Sequence, residues 1–356
     1  MRILWLTNHF RAHALVRRDE FLDVGVEMML VSTNRGFSPY SGPVREYETV
    51  LLGRPAPWAD WLPCYKAYRA AEQFNPDVVV TENVSDPRWK YFARSAPRIN
   101  AIHDAEPHDG THRVPVWHRL MFDRWNSRAD ATLVFSQYVS SSLAAAGTDV
   151  SKLWVVPLHT EVDPTLIPDP VTADERKNFI MFGRQDPYKN HATIFAAWEA
   201  HVASSSWRGD ELIIYGDGEI PGPLPSHVRW VRGQFQYKDV IEEFARAKGS
   251  IVHHTEGASQ SAVQVLSMQL GVPTLVSTGG ALPEYQPDGL NVTGVNDVDG
   301  LSRAISALAD PNEADRQSKI VLEHFKNNFD AGLFVKRFAE VANHVIRQYH
   351  ARPPGQ

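Results

Sequence analysis

Cysteine is almost missing from this sequence, and its scarcity bears on where the protein works. The 356 residues include one cysteine, Cys64, which cannot form an internal disulfide and fits a reducing compartment. No apolar run approaches the roughly 18 residues that indicate a membrane span. The opening residues MRILWLTNHF carry one basic residue and no small-residue cleavage site, so they predict a strand and not a signal peptide. These absences predict a cytoplasmic protein.

An excess of positive charge is missing as well. The formal net charge of -6 at pH 7 argues against a broad nucleic-acid surface, so no nucleic-acid partner is expected. The chain also shows no internal repeat and no low-complexity segment. Its 43% hydrophobic and 22% charged residues are typical of a globular protein, and its length predicts two domains.

Apolar strands alternate with helical stretches in both halves of the chain. This order predicts parallel sheets covered on both faces, which bind ligands at the carboxyl ends of their strands. A segment with three prolines and many charges, 159–178, predicts a linker between the halves. We therefore predict a first domain at 1–158, a second at 179–330, and a final segment, 331–356, whose helix near 331–350 follows the completed second sheet.

The stretch EGASQSAVQVLSMQLGVP, from Glu256 to Pro273, holds the strongest motif. An apolar run precedes it, and Val263, Leu266 and Leu270 then follow at helical spacing. Glu256 is therefore expected on a strand-to-helix turn. Backbone N–H groups of the new helix would follow it and suit a ligand with phosphate and hydroxyl groups.

This stretch resembles the donor-site signature of retaining GT-B glycosyltransferases, especially glycosyltransferase family 4. The family pattern is Glu-Gly-Phe-Gly-Leu, three residues, then Glu-Ala-Met-Ala-x-Gly-x-Pro. This chain is two residues longer between the two ends, so Glu256 takes the first glutamate's place and Ser261 and Ala262 take the Gly-Leu place. The second glutamate, which holds the ribose in the family, falls on Leu266 or Gln264. Only Gln264 can hydrogen-bond a hydroxyl.

The segment MFGRQDPYKN resembles the family's Gly-Arg…Lys pair that grips the donor diphosphate. Here the pair would be Arg184 and Lys189, with Gly183 before them. A diphosphate needs fixed positive charge, which an arginine supplies as a planar fork and a lysine as a point charge. The alternative interpretation is two exposed cations in a loop.

Three glycine-containing segments resemble other turns of the family's donor site. LIIYGDGEI, with Gly216 and Gly218, resembles the turn below the nucleotide, and Gly233 in WVRGQF falls in the segment beside the base. STGGALPEY resembles the Gly-Gly-x-Pro-Glu turn, in the register from Gly280 to Glu284. Glycines let backbone approach a ligand closely, although any tight turn also uses them.

In the first domain, His103 and Asp104 follow a predicted strand, where family members often have His-Asp. The resemblance implies that His103 faces the reacting sugar from the acceptor side, although a lone histidine is more often structural. Asp104, Glu106, His108 and Asp109 are weaker candidates for acceptor hydroxyls. A metal site from His103, His108 and His112 is not expected because prolines and a glycine interrupt the helix that would align them.

The first loop departs from the family, since NHFRAHALVRR replaces its glycine pair. Its cations Arg11, Arg17 and Arg18 suit an anionic acceptor such as a phosphorylated lipid, or they form a solvated helix face. The aromatic residues of WADWLPCYKAYRAAEQF suit a membrane or lipid contact, or core packing.

The resemblance implies a fold and a function. The fold is α/β GT-B: two Rossmann-like doubly wound domains facing a cleft, with the last helix returning to the first domain. The function is a retaining, metal-independent transfer of sugar from a nucleotide-diphosphate sugar to an acceptor hydroxyl, in glycan, glycolipid or small-molecule glycoside synthesis. The alternatives are a non-catalytic nucleotide-sugar binder and a GT-B epimerase or hydrolase. Base, sugar, acceptor and oligomeric state stay open.

The implied partners are a nucleotide-sugar donor and a sugar, lipid-linked or small-molecule acceptor, with peripheral membrane contact as an option and no separate cofactor. The implied catalytic residues are His103, Arg184, Lys189 and Glu256. The implied donor-binding residues are Gly183, Arg184, Lys189, Gly216, Gly233, Glu256, Gly257, Ala258, Ser259, Ser261, Ala262 and Gln264.

Overall fold

The computed structural model of the chain describes residues 1–36, 42–53, 60–83, 86–94, 96–105, 122–160, 162–255 and 257–353. The described residues form two compact units. The first unit contains those between 1 and 105, between 122 and 157, and between 331 and 353; the second contains those between 158 and 330. The C-terminal helix thus belongs to the unit that begins the chain.

The first unit is built on a seven-stranded sheet of order β3-β2-β1-β4-β5-β6-β7, and its described strand pairs are parallel. Most of its strands are buried apolar runs, which is why the sequence pattern predicts them well. The strands are β1 (Arg2–Thr7), β2 (Glu27–Thr33), β3 (Glu48–Leu51), β4 (Val78–Glu82), β5 (Arg98–Ile102), β6 (Ala131–Val134) and β7 (Leu153–Val155).

The helices of the first unit connect these strands, and the last one packs beside the first. Their described bounds are α1 (Arg11–Asp23), α2 (Trp61–Phe74), α3 (Trp89–Phe92), α4 (Gln137–Ala145) and α10 (Ala331–His350). Phe21 of α1 makes edge-to-face contacts with Phe334 and Phe338 of α10. Trp5 of β1 also contacts Phe338. These buried rings attach the C-terminal helix to the first sheet.

The second unit is built on a six-stranded sheet of order β10-β9-β8-β11-β12-β13, again with parallel pairs. The strand order turns back beside β8 and β11, which is where a doubly wound sheet opens a crevice at its carboxyl edge. The strands are β8 (Phe179–Phe182), β9 (Leu212–Tyr215), β10 (Val228–Val231), β11 (Gly249–Val252), β12 (Thr274–Ser277) and β13 (Val292–Thr293).

Polar residues at the starts of the second unit's helices fix where they begin. Asp297 caps α8 by accepting from the N–H of Gly300 at 2.8 Å. Ser261 caps α7 by accepting from the N–H of Gln264. The helices are α5 (His191–Val202), α6 (Tyr237–Ala245), α7 (Ala262–Gln269), α8 (Val298–Leu308) and α9 (Pro311–Asn328).

The segment predicted as a linker packs on the second unit. Val162 lies in a core cluster of that unit. The buried guanidinium of Arg176 donates to the carbonyl of Ala247 and to the hydroxyl of Ser318, at 3.1 and 2.6 Å. The predicted fold class, with parallel α/β sheets and a C-terminal helix that joins the first unit, is confirmed.

Candidate functional site

Glycines at the carboxyl ends of β8 and β9 hold two loops together. A Cβ built on Gly216 would lie 1.9 Å from the carbonyl oxygen of Gly183, and one on Gly218 would lie 2.3 Å from that of Gln185. Gly183, Gly216 and Gly218 all have positive φ. The two loops therefore touch through backbone alone, which requires glycine whether or not a ligand is present.

The two cations predicted to bind diphosphate have different environments. Arg184 is exposed, with 74% of its side chain accessible, and its Nε bonds the carboxylate of Asp186 at 2.6 Å. Lys189 is 7% exposed. A Cβ built on Gly183 would lie 3.8 Å from the Lys189 Nζ and 3.7 Å from a methyl group of Val263 in α7. The buried ammonium is thus close to the first turn of α7.

Lys189 is a buried cation whose described hydrogen-bond partner is neutral. Its Nζ lies 3.2 Å from the Nε2 of His254, at the carboxyl end of β11. Among the residues that the structure describes, no carboxylate forms an ion pair with it. Burial lowers the pKa of Lys189 to about 8; Asp186 raises it and Arg184 lowers it by smaller amounts. At neutral pH the side chain is therefore still largely charged.

The turn between β11 and α7 contains the main motif of the sequence. Glu256, to which the motif assigns the sugar contact, lies outside the described residues. Gly257 has a φ of +88° and open space around it, whereas Ala258 and Ser259 are buried. The helix after this turn begins at Ala262.

Gln264 and Leu266 both point into the protein interior. The side chain of Gln264 is fully buried, and its Nε2 donates to the carbonyl of Leu282 at 3.0 Å. Leu266 lies in a core cluster with Ile180 and Ile213. In this conformation neither side chain is presented to a ligand, so the ribose role of Gln264 stays a prediction.

The glycine turn after β12 closes on the turn before α7. A Cβ built on Gly280 would lie 1.8 Å from the carbonyl oxygen of Ala258, and the N–H of Ala281 donates to that oxygen at 2.8 Å. Glu284 is exposed in a short 3-10 helix, Leu282–Tyr285. Backbone contacts therefore join the loops after β11 and β12.

The segment predicted to lie beside the base follows β10. Gly233 has a φ of +145°. A Cβ built on it would lie 3.7 Å from the ring of Phe235. Phe235 packs edge-on against Tyr215 of β9, with ring centroids 5.2 Å apart. Trp230 donates its indole N–H to the carbonyl of Gly216 at 2.9 Å. These contacts connect the Gly216 turn to the loop that contains Gly233.

In the first unit His103 belongs to a buried charged network. Its Nε2 lies 2.9 Å from Glu82, which also accepts from Arg17 and from the indole of Trp5, each at 2.9 Å. Burial opposes the ionisation of Glu82. The guanidinium of Arg17 and the hydrogen bond from His103 outweigh it, so the pKa of Glu82 lies well below its ordinary value. The imidazole of His103 is stacked on Phe10, with ring centroids 3.8 Å apart.

The cations of helix α1 are not a solvated face. Arg17 is fully buried against Glu82, and Arg11 makes a two-pronged ion pair with Glu48, at 2.7 Å for both nitrogens. The prediction of a solvated face is wrong for these two residues, because both side chains are buried and form ion pairs with carboxylates of β3 and β4. Arg11 is paired with Glu48 and Arg17 with Glu82, so neither positive charge is available to attract an anionic acceptor.

A separate open cavity of about 590 Å³ lies at the carboxyl ends of β1, β2 and β3. Its lining includes His9, Asn34, Arg35 and Gly53. Burial and the neighbouring Arg35 lower the pKa of His9, which keeps this imidazole neutral. The cavity therefore offers hydroxyl-binding groups beside one positive charge.

Among the residues that the structure describes, no cluster of histidine, cysteine, aspartate or glutamate has the arrangement of a metal site. None of their helices is long and apolar enough to cross a membrane. His108 and His112 lie outside this part of the chain.

The two units together define a known class of fold. Two doubly wound parallel units, with the C-terminal helix in the first, form the GT-B fold. No protein-family model and no curated protein matches the chain.

Solved structures of glycosyltransferases share this fold over nearly the whole chain. Sucrose-phosphate synthase from Thermosynechococcus elongatus has a TM-score of 0.71 at 14% identity, covering 98% of this chain and 100% of that one. A glycosyltransferase from Rickettsia africae has a TM-score of 0.70 at 12% identity, covering 97% and 98%. Anabaena HepE in complex with UDP and glucose has a TM-score of 0.68 at 15% identity, covering 97% and 100%.

Proposed function

We propose that this protein is a glycosyltransferase that moves a sugar from a nucleotide-diphosphate sugar to an acceptor hydroxyl. The observation that carries the proposal is the buried ammonium of Lys189. A buried cation is costly unless an anion compensates it, and perturbed, buried charges cluster at functional sites. The first turn of α7 adds backbone N–H groups nearby, which also favour phosphate.

The proposed reaction is a retaining, front-face displacement. The bond between the sugar C1 and the diphosphate oxygen breaks, and the electron pair leaves with the diphosphate. The acceptor oxygen bonds C1 on the same face, and its proton passes to the departing phosphate. No metal takes part in this balance. Lys189 and Arg184 would stabilise the charge growing on the leaving group, where stabilisation accelerates the reaction most.

The remaining roles follow the resemblance. Glu256 is proposed to hold sugar hydroxyls, and His103 to hydrogen-bond the reacting sugar. The anchoring of His103 by Glu82 fixes its ring, although Phe10 must move aside before a sugar can reach the ring face. We propose the cavity beside His9 and Arg35 for a hydroxyl-rich acceptor.

The proposed donor base is uracil, because the HepE structures contain UDP, UDP-glucose, or UDP with glucose. A thermal-shift screen with UDP, GDP, ADP and their sugars tests this, since a ligand that binds the folded form raises the melting temperature. The expected result is a shift with UDP compounds and UDP release on addition of an acceptor. If none of these compounds shifts the melting temperature, the proposal fails.

The alternative class is a non-catalytic nucleotide-sugar binder. The interior position of Gln264 favours it, because the chain then lacks the ribose contact that the family uses. A binder would give donor binding by calorimetry and no product with any acceptor. A hydrolase or epimerase on the same fold would instead release free or altered sugar without an acceptor.

We also propose that the first unit contacts an anionic membrane surface peripherally. On helix α2, Trp61, Leu62 and Tyr65 are 63%, 44% and 55% exposed, and the exposed Lys66 lies beside them. Exposed Arg94 follows the adjacent helix α3 and lies over the ring of its Tyr91, which adds positive charge beside α2. Aromatic and basic side chains together suit a headgroup region.

Co-sedimentation with vesicles tests the membrane proposal. Vesicles that contain phosphatidylserine, which gives the surface a negative potential, should retain the protein, and vesicles of neutral lipid alone should not. The triple variant Trp61→Ser, Leu62→Ser, Tyr65→Ser should lose this binding and keep its melting temperature. Equal sedimentation of variant and parent would refute the membrane contact.

A further inference from the structure

His254 was not singled out by the sequence, yet it is the described hydrogen-bond partner of the buried Lys189. The side chain of His254 is itself buried, with 4% exposed. A lysine ammonium has donors only, so the Nε2 of His254 must accept, and its ring proton is then on Nδ1. The imidazole is therefore neutral in this contact.

The backbone of His254 is clamped from two sides, which fixes the direction of its ring. The hydroxyl of Ser277 donates to its carbonyl at 2.6 Å. The N–H of the next residue, Thr255, donates to the carbonyl of Tyr188 at 2.9 Å. Gly279 leaves room for this, since a Cβ there would lie 2.5 Å from the Thr255 carbonyl oxygen. The Tyr188 ring meets that of His254 edge-on, with centroids 5.1 Å apart.

We propose that His254 is a positioning residue that holds the Lys189 ammonium in place for the donor diphosphate; this rests on the proposed function. A neutral acceptor suits the task better than a carboxylate would. It uses one of the three ammonium protons and leaves the positive charge uncompensated. An aspartate or glutamate at this place would neutralise the lysine and repel the diphosphate.

The other ionisable groups around Lys189 do not replace this anchor. Asp186, which precedes it in the same loop, is bonded to Arg184. His191, at the start of α5, bonds Gln185, and burial together with Lys189 lowers its pKa to about 4. His191 is therefore neutral at the pH of the experiments below, so changes in the titration of Lys189 report on His254.

The adjacent His253 provides a matched control. It is as buried as His254, with 1% exposed, but its nitrogens bond Asn190 and Thr293 at 3.2 and 3.1 Å. His253→Phe and His254→Phe therefore remove the same chemical group one residue apart. Only the second removes the acceptor from Lys189. His254→Gln restores an acceptor near the position of Nε2.

The first experiment needs no ligand. NMR of protein labelled with ¹³C at the lysine ε-carbons measures the titration midpoint of Lys189 in the free protein, with Lys189→Arg assigning its signal. His254→Phe should move this midpoint downward, because the buried ammonium loses its acceptor. His254→Gln should return it towards the parent value, and His253→Phe should not change it. An unchanged midpoint in folded His254→Phe would overturn the proposal, whatever the outcome of the nucleotide screen.

The second experiment measures binding of UDP, with inorganic pyrophosphate as a probe that lacks a base. His254→Phe should weaken both by roughly tenfold or more, the effect of one hydrogen bond to a charged group. His254→Gln should recover most of the loss. Affinities within twofold of the parent, or a glutamine variant as weak as the phenylalanine variant, would contradict the role. If His254→Phe does not fold, His254→Asn, which is polar but shorter, replaces it in both experiments.

Discussion

Arg17 and Lys189 are both buried cations, one in each unit, but the protein treats their charges in opposite ways. Arg17 is bonded to the carboxylate of Glu82 at 2.9 Å and lies over the ring of Trp5. Lys189 is bonded to a neutral imidazole, and no carboxylate among the described residues pairs with it. The first charge is satisfied inside the fold, whereas the second is kept available. We interpret this as the difference between a structural cation and one that, under the proposed function, binds an anionic ligand.

The largest expected effect is on stability, and it has opposite outcomes at the two positions. Arg17→Met should lower the free energy of unfolding by about 3–5 kcal/mol, because it leaves the buried carboxylate of Glu82 without its guanidinium partner. Lys189→Met should be neutral or stabilising, because it removes an uncompensated charge. Urea unfolding monitored by circular dichroism measures both.

Arg11→Met is the control for this stability comparison, since it breaks the other buried ion pair on the same helix. It should cost a similar amount to Arg17→Met. A Lys189→Met variant that is as unstable as either arginine variant would remove the distinction between the two cations.

The pH dependence sharpens the same contrast. The folded pKa of Lys189, about 8, lies below the ordinary value of 10.5, so the unfolded chain binds the proton more tightly between these two values. The contribution of Lys189 to stability therefore rises with pH across this window, by about 3 kcal/mol at most. Affinity for a diphosphate should fall across the same window, as the ammonium loses its charge.

Other groups also titrate in this range, so the measurement is the difference between the parent and Lys189→Met. The free energy of unfolding of the parent, minus that of Lys189→Met, should rise as the pH is raised. A difference that is flat from pH 7 to 10 would be inconsistent with a lowered pKa at Lys189.

Much of the fold could be predicted from the sequence, but the partners of the buried charges could not. Short apolar runs such as those within Arg2–Thr7 and Phe179–Phe182 predict the buried parallel strands that the structure shows there. Arg11 and Arg17, in contrast, lie in a charged sequence that is typical of a solvated helix face. Their carboxylate partners are 37 and 65 residues away, and local periodicity contains no trace of such pairs.

The candidate site shows the same limit. The sequence motifs predict tight turns at the glycines at 183, 216 and 280. The structure adds that the backbone of these turns packs directly against the backbone of a neighbouring loop. Gln264 was considered for the ribose because of its register, but a helix position does not reveal that the side chain points inward. His254 gave no signal of its own. The role that we propose for it depends on β8 and β11 being neighbours in the sheet.

A smaller effect is expected on catalysis at Lys189. Lys189→Met should reduce kcat/KM for the nucleotide sugar by roughly 100-fold, which corresponds to about 2–3 kcal/mol for charged hydrogen bonds. The measurement is nucleotide release in the presence of acceptor. A loss below threefold would contradict the role of Lys189 as the diphosphate's partner.

The smallest effect is expected at Arg184, which is exposed and already paired with Asp186. Arg184→Ala should reduce kcat/KM by roughly tenfold, and raising the salt concentration should shrink the difference because exposed charges are screened. Lys189→Met should show no such salt dependence. If the two variants respond equally to salt, the buried and exposed cations do not act differently.

The most direct test of the central claim is an experimental structure with a bound nucleoside diphosphate. The account predicts that the Lys189 Nζ lies about 3 Å from a phosphate oxygen while it still donates to the Nε2 of His254. A phosphate bound elsewhere, with the ammonium remote from it, would contradict the account.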